Sequence, residues 1–246
     1  MNNGLTGKVA LVTGGSRGVG AAIARRLAEA GADVAISYVH SEAKANAVVD
    51  EAKALGLRAA AFKADQANAD EVIRLVDDTA AHFGRLDILV NNAGVFVTGE
   101  LGDPDRDAAA FANQFAVNTA AVATATRAAI KHVGTGGRII LISSVGASRT
   151  TYPAADYAAG KAAMEAYGRV WTHELGPKGI TVNTVQLGAI DTDMLDRDGA
   201  TAWLPLVPIG RIGRPEEVAE AVAYLAGPAA GYVTGANLRI DGGLNA

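Results

Sequence analysis

The chain of 246 residues contains no cysteine, which excludes disulfides, thiolate zinc sites and cysteine nucleophiles. It also has no block of like charges and a net charge of only −4, so we expect neither a nucleic-acid partner nor a basic membrane-binding surface. The four histidines are scattered without the spacing of metal ligands, so we expect no metal site.

Long hydrophobic runs are missing as well. The two longest uncharged stretches, residues 108–126 and 221–238, are interrupted by polar residues or by glycine and proline, which does not fit a bilayer-spanning helix. The first residues show no charged segment followed by an apolar one, as a secretion signal would. We therefore expect a cytoplasmic protein with no membrane partner.

The chain instead alternates short apolar runs with longer helical patterns. The predicted strands are Lys8–Thr13, Asp33–Tyr38, Arg58–Lys63, Leu86–Asn91, Arg138–Ser143, Ile180–Val185 and Asn237–Ile240. The predicted helices are Gly18–Ala30, Glu42–Leu55, Ala69–Phe83, Ala108–His132, Ala155–Leu175 and Pro215–Leu225. Most of the strands are continuously apolar, as strands buried on both faces are. This order predicts an α/β fold: one domain over residues 1–246, with a doubly wound parallel sheet and helices on both faces.

A glycine-rich turn joins the first predicted strand to the first predicted helix. Gly14 suits the tight turn, Gly18 would let a pyrophosphate approach the backbone, and Gly20 would let helix and strand pack closely. A pyrophosphate at this place would meet the free N–H groups of a helix N-terminus. The segment, with Ser16, Arg17 and Val19 between the glycines, predicts a dinucleotide site, although a purely structural turn is the alternative.

The residues after the second strand bear on which dinucleotide is bound. NAD-binding proteins of this type place a carboxylate there for the ribose 2′-hydroxyl. Here Tyr38 leads to Ser41 with no carboxylate before Glu42, and Arg17, Ser16 and Ser41 would suit a 2′-phosphate. We therefore expect NADP(H) rather than NAD(H), with a merely solvated Arg17 as the alternative.

A tyrosine and a lysine lie four residues apart on the fifth predicted helix. Tyr157 and Lys161 would share one helix face, where an ammonium group and an oxidised nicotinamide would favour the phenolate. The tyrosine would then be a usable acid or base. Ser143 and Ser144 end the fifth strand, at the sheet edge where a substrate should bind, and a hydroxyl there could polarise a carbonyl.

With these motifs the chain resembles the classical short-chain dehydrogenases/reductases over essentially its whole length. The matching motifs are Thr13-Gly14 to Gly20, Asn91-Asn92-Ala93-Gly94, Asn118, Ser144, and Tyr157 with Lys161. The resemblance implies a seven-stranded Rossmann-type sheet. It also implies that Tyr157 is the general acid in reduction, that Ser144 orients the carbonyl, and that Asn118 holds a water in a proton relay. Lys161 would lower the Tyr157 pKa and bind the nicotinamide ribose.

The same resemblance implies further cofactor-binding residues. Asn91 would shape the cleft together with Ala93 and Gly94, and Asp65, followed by Gln66, would meet the adenine. Ile190 and Thr192, after Gly188, would bind the nicotinamide carboxamide. Two departures are Leu187, where the family usually has proline, and Gln66, where it usually has valine.

Within the family the chain is most similar to 3-oxoacyl-(acyl carrier protein) reductases and related ketone reductases. Basic residues are sparse just before Arg138, however, which weakens the carrier-protein reading. The family usually forms homotetramers through the helix at residues 108–126 and the helix of Tyr157, so we expect a homotetramer here.

The segment at about residues 191–210 falls where the family has its substrate lid. Its apolar middle, Ala202–Pro208, would be costly to leave in water. Trp203, Leu204 or Leu206 would close over an apolar substrate, or the run would pack on the core or a neighbouring subunit. The residues expected on the opposite wall are Val95, Phe96 and Tyr152.

These features together predict an NADPH-dependent reductase that converts an apolar ketone to a secondary alcohol, with Tyr157 as the general acid. Two alternatives remain open at this point. One is an NAD-dependent alcohol, sugar or steroid dehydrogenase. The other is a catalytically silent dinucleotide-binding sensor.

Overall fold

The computed structural model describes residues 4–149, 153–195 and 204–246. Seven parallel strands form one sheet in the order β3-β2-β1-β4-β5-β6-β7. The strands are β1 (Val9–Val12), β2 (Asp33–Tyr38), β3 (Ala59–Lys63), β4 (Ile88–Asn91), β5 (Arg138–Ser144), β6 (Thr181–Leu187) and β7 (Asn237–Ile240). The expected Rossmann-type sheet of a single domain is confirmed.

Helices cover both faces of the sheet. They are α1 (Gly18–Glu29), α2 (Glu42–Ala54), α3 (Ala69–Phe83), α4 (Ala108–Phe115), α5 (Ala121–Ala129), α6 (Ala155–Leu175) and α7 (Pro215–Ala226). One hydrophobic core lies between the sheet and α1, α2 and α7, and a second lies between the sheet and α3, α5 and α6. Along β1, Ala10 and Val12 face the first core while Val9 and Leu11 face the second. This arrangement explains why the strand is apolar at every position.

The predicted helix Ala108–His132 is interrupted in the structure. A π-helical turn, Ala116–Ala120, separates α4 from α5, and α5 ends at Ala129. Such turns insert one extra residue into a helix and are frequent at functional sites. Asn118, one of the predicted catalytic residues, lies in the middle of this turn.

Strand β6 is longer than the sequence predicts, because it ends at Leu187 and not at Val185. Leu187 pairs with Ser144 on one side and with Ile240 on the other. Proline, which the related family usually has at this position, has no N–H group for such a ladder. Leu187 is therefore the last residue of β6, two residues beyond the predicted end.

The strand order reverses between β1 and β4, which are neighbours in the sheet although two strands separate them in sequence. In open parallel sheets ligands bind beyond the carboxyl ends of the strands at this point. The loops that follow β1 and β4 are thereby brought together. None of the helices in the described part of the chain is both long and apolar enough to cross a lipid bilayer.

Candidate active site

The glycine-rich loop after β1 has a backbone that only glycine adopts easily. Gly14 and Gly18 have φ angles of +65° and +53°. At Gly20 a side chain would overlap the carbonyl oxygen of Gly14, so helix α1 packs directly on the turn. These positions leave an uncrowded backbone at the N-terminus of α1, which fits the pyrophosphate of a dinucleotide.

Three polar side chains anchor this loop to the neighbouring strands. The Thr13 hydroxyl accepts hydrogen bonds from the backbone N–H groups of Asn92 (2.9 Å) and Ala93 (3.0 Å). The Asn92 amide donates back to the Thr13 carbonyl at 2.8 Å. The Ser37 hydroxyl accepts from the N–H of Gly14 at 3.0 Å. Asn92 and Thr13 belong to the quoted motifs, but sequence reasoning gave them no role, and it overlooked Ser37.

A small charged cluster lies at the predicted 2′-phosphate end of the cleft. Arg17, at the start of α1, and Lys44, on α2, each lie 3.8 Å from a carboxylate oxygen of Asp193. All three side chains are more than half exposed. Lys44 is a second cation that sequence reasoning missed, and Asp193 belongs to the expected lid segment.

The end of β2 carries the other residues expected near that phosphate. Ser41 immediately precedes α2, and its side chain forms no capping hydrogen bond with the helix. Burial and the carboxylate of Glu42, which is hydrogen-bonded to it, raise the pKa of Tyr38. Ser16 is partly buried in the glycine-rich loop, and Val19, in the first turn of α1, packs against the first core.

The residues expected around the adenine and the cleft floor take different positions. Asp65 is exposed, and its carboxylate accepts a hydrogen bond from the N–H of Ala67 at 2.9 Å. Gln66 is buried, and its amide nitrogen has no hydrogen-bond partner among the described residues. Asn91 is also buried and donates to the Thr126 hydroxyl at 3.2 Å, so it supports β4 from the side of α5.

The segment after β6 lies beside the glycine-rich loop. A side chain at Gly188 would come within 2.7 Å of the Asp241 backbone, so glycine is required there. Ile190 is buried in the first core, and its neighbours hydrogen-bond to Gly213, which fixes the backbone of this segment. Thr192 lies against Gly18. The structure therefore brings Thr192 to the loop where the pyrophosphate would bind.

Tyr157 and Ser144 are joined by a hydrogen bond. The Ser144 oxygen accepts the N–H of Gly146 at 3.1 Å, which leaves its own hydroxyl hydrogen free to point at Tyr157. The Phe96 ring packs edge-on against Tyr157, with 4.8 Å between ring centroids. Burial raises the pKa of Tyr157, and the Ser144 bond acts in the opposite direction. The tyrosine is therefore protonated at neutral pH, as a general acid must be.

Lys161 lies one helical turn after Tyr157 and is only 4% exposed. Its ammonium group donates to the Ile142 carbonyl at 2.8 Å and lies 5.7 Å from the centre of the tyrosine ring. Burial lowers the pKa of Lys161 to about 8. In this structure burial raises the pKa of Tyr157, and the opposing contribution comes from the Ser144 hydrogen bond.

The π turn holds Asn118 against the loop after β4. The Asn118 amide donates to the Val95 carbonyl at 2.8 Å, and its oxygen accepts the Val95 N–H at 2.9 Å. A side chain at Gly94 would lie 3.3 Å from Asn118 and 3.8 Å from the Lys161 ammonium. The structure thus brings together Asn118, Ser144, Tyr157 and Lys161, although the Asn118 side chain is engaged with the Val95 backbone.

The residues expected to touch substrate are only partly within the described residues. Tyr152 and Trp203 lie outside them. Phe96 and Leu206 are 41% and 52% exposed, and Leu204 is half-buried. Val207, in contrast, is buried with Val145 and Leu244. One part of the apolar run therefore packs on the fold, while Leu206 remains exposed.

Two further buried polar residues lie behind the site. Gln114 on α4 accepts the Val97 N–H at 2.6 Å and so supports the loop after β4. Glu165 lies one turn beyond Lys161 and is 7% exposed. Sequence reasoning missed both residues. Two signals were available in the sequence. Gln114 is an amide in an uncharged helix, and Glu165 continues the four-residue spacing of Tyr157 and Lys161.

Comparisons with known proteins agree with this geometry. Residues 14–245 match a family profile described as enoyl-(acyl carrier protein) reductase. The chain is 42% identical to versicolorin reductase 1 of Dothistroma septosporum over 257 aligned positions, which cover 97% of this chain and 96% of the relative.

Several solved structures are also similar to this chain in sequence and fold. A short-chain dehydrogenase from Burkholderia cenocepacia in complex with NADP superimposes with a TM-score of 0.96 at 47% identity, covering 98% of this chain and 99% of the other. A blue fluorescent protein from a metagenomic library, in complex with NADPH, gives 0.94 at 42% identity and covers all of both chains. The chain therefore belongs to the short-chain dehydrogenase/reductase family.

Proposed function

We propose that the protein is an NADPH-dependent reductase of apolar ketones. The observation that carries the proposal is the convergence of Tyr157, Ser144 and Lys161 beside a glycine-rich loop whose backbone fits a pyrophosphate. The reductase name of the fungal relative supports the direction of the reaction.

The cofactor is proposed from the charges at the mouth of the cleft. Arg17 and Lys44 both lie close to Asp193, and both carry exposed cationic groups that a 2′-phosphate could engage. The Burkholderia and metagenomic proteins, which are solved with NADP and NADPH, support this choice. The carboxylate of Glu42 is hydrogen-bonded to the Tyr38 hydroxyl.

In the proposed reaction each residue of the site has a distinct task. Bound NADPH would supply the hydride that reduces the carbonyl carbon. The Ser144 hydroxyl would hydrogen-bond the carbonyl oxygen, and Tyr157 would donate its phenolic proton to that oxygen as negative charge develops. Lys161 would provide the positive charge that stabilises the resulting phenolate. Asn118, fixed on Val95, would keep the wall beside Lys161 in place.

The substrate class is proposed from the apolar side chains around Tyr157. Phe96 contacts the tyrosine ring, and the exposed Leu206 belongs to the segment expected to close over the site, as does Trp203, which lies outside the described residues. Apolar walls exclude water from the reacting groups and favour ketones with aromatic or medium aliphatic substituents.

Steady-state assays with purified protein test this proposal. We expect turnover of aromatic and medium aliphatic ketones with NADPH, and much weaker turnover with NADH. Thioester-linked 3-oxoacyl substrates, assayed in parallel, distinguish carrier-type from free-ketone reduction. Tight binding of NADPH without turnover of any ketone would instead identify a dinucleotide-binding sensor.

A further inference from the structure

A buried carboxylate continues the line of catalytic side chains on α6. Tyr157, Lys161 and Glu165 are spaced four residues apart and therefore lie on one face of the helix. Glu165 is 7% exposed and Lys161 is 4% exposed. Burying a carboxylate is costly unless it is hydrogen-bonded and paired with positive charge. The groups around Glu165 therefore indicate what it does.

Three side chains from three strands donate hydrogen bonds to Glu165. Its Oε1 accepts from the Ser143 hydroxyl at 2.8 Å and from the Gln186 amide at 2.7 Å, and its Oε2 accepts from the Asn237 amide at 3.1 Å. The Gln186 amide is held in this orientation because Arg239 donates to its oxygen at 3.0 Å. All three contacts are donated to Glu165, so its two oxygens act there only as acceptors, as carboxylate oxygens do.

The ammonium group of Lys161 has no comparable anionic neighbour elsewhere in the described contacts. Its hydrogen-bond acceptor is the uncharged Ile142 carbonyl of β5. The carboxylate of Glu165 raises the pKa of Lys161, against the lowering by burial. The other charged or titratable groups facing this pair are Tyr157 on the same helix and Arg239, which reaches it from β7 through Gln186.

We propose that Glu165 is a positioning residue that keeps Lys161 in its ammonium form and holds the end of β5, with Ser144, in place. This role rests on the proposed reductase function, because Lys161 serves the reaction only as a cation. The hydrogen bonds of Glu165 go to Ser143, Gln186 and Asn237, none of which is assigned to substrate or cofactor. It acts through Lys161 by charge, and through Ser143 by a hydrogen bond next to Ser144.

The pKa of Lys161 measured in the protein alone tests this role directly. The lysines are labelled with ¹³C at Cε, and Lys161 is assigned with a Lys161→Met variant and titrated by NMR. Wild type is expected to give a pKa near the value of about 8. Glu165→Gln, which keeps the shape and loses the charge, should lower the pKa of Lys161 by about one pH unit. Glu174→Gln is the matched control, because it removes an exposed carboxylate from the same helix and should leave that pKa unchanged.

Ketone reduction gives the second readout. We expect the activity to fall as pH rises through the pKa of Lys161, so in Glu165→Gln this fall should begin at lower pH. At pH 8 the variant should retain roughly one fifth of the wild-type kcat/KM, while the two proteins converge at acidic pH, where both lysines are protonated. Glu165→Asp, which keeps the charge, should stay closer to wild type than Glu165→Gln does.

The possible outcomes separate this role from the proposed function. A wild type that reduces no ketone counts against the function, while the NMR titration still tests the charge effect. An unchanged Lys161 pKa in Glu165→Gln overturns the role. A Glu165→Asp variant with a Lys161 pKa as low as that of Glu165→Gln also overturns it. A Glu165→Gln chain that does not fold does the same, because either result would show that the carboxylate serves packing.

Discussion

Replacing Arg17 with alanine should weaken NADPH binding and leave NADH binding nearly unchanged. The Arg17 side chain is 62% exposed, and the carboxylate that it approaches, Asp193, lies 3.8 Å away. An exposed pair of this kind contributes at most about 1 kcal/mol to stability, so the variant should fold normally. Loss of a charge-assisted hydrogen bond to a 2′-phosphate costs roughly 1.5–3 kcal/mol, or about 10–150-fold in affinity.

The assay compares KM and Kd for NADPH and NADH in wild type, Arg17→Ala and a matched control. Arg25→Ala is that control, because Arg25 is a half-exposed arginine of the same helix that pairs with Glu51. It should change neither constant. Asp193→Asn should act in the opposite direction to Arg17→Ala, since it frees Arg17 and Lys44 from a nearby negative charge. A gain of up to about fivefold in NADPH affinity is expected.

Equal losses for NADPH and NADH in Arg17→Ala would refute the assignment of Arg17 to the 2′-phosphate. A wild type that prefers NADH would refute the interpretation of the whole segment from Tyr38 to Ser41. Removing Lys44 as well should not restore the NADPH affinity that Arg17→Ala loses, because Lys44 is a second cation near Asp193.

Tyr157→Phe should keep the fold and the cofactor affinity and lower kcat by about 10²–10⁴-fold, the usual contribution of a general acid; near-normal turnover would exclude this role. Trp203→Ala should raise KM for bulky ketones without changing the cofactor KM, whereas a defect in thermal stability alone would favour packing over a lid. Light scattering on the purified protein should give a particle of four chains, and Phe115→Asp, at a 56% exposed position on α4, should lower that number. A monodisperse monomer in wild type would contradict the expected tetramer.

The sequence predicts the sheet well because buried parallel strands are distinctive. A continuous apolar run such as β1, followed by turn residues, indicates a strand buried on both faces, and the glycines between strand and helix mark the ligand-binding edge. The π turn at Ala116–Ala120 could not be predicted in the same way. Its residues are small or apolar around one asparagine and continue a helical pattern, whereas the partner of Asn118, Val95, lies 23 residues earlier in the loop after β4.

The side chains that support the site could not be predicted from the sequence for a related reason. Thr13 and Asn92 are 79 residues apart and meet only because β1 pairs with β4. Glu165 is visible in the sequence as a charge on a helix, where a solvated position is the ordinary expectation. Its burial follows from donors on β5, β6 and β7, which belong to distant parts of the chain. Motifs identify the residues that contact ligands, whereas tertiary contacts identify the residues that hold those side chains in place.

The most direct test of the central claim is to follow the transferred hydride itself. NADPH carrying deuterium at both positions of nicotinamide C4 is incubated with the purified protein and an aromatic ketone, and the product is examined by mass spectrometry and NMR. The account predicts a secondary alcohol with one deuterium on its carbinol carbon. An alcohol formed without deuterium at that carbon, or no alcohol at all from any ketone of the panel, would contradict it.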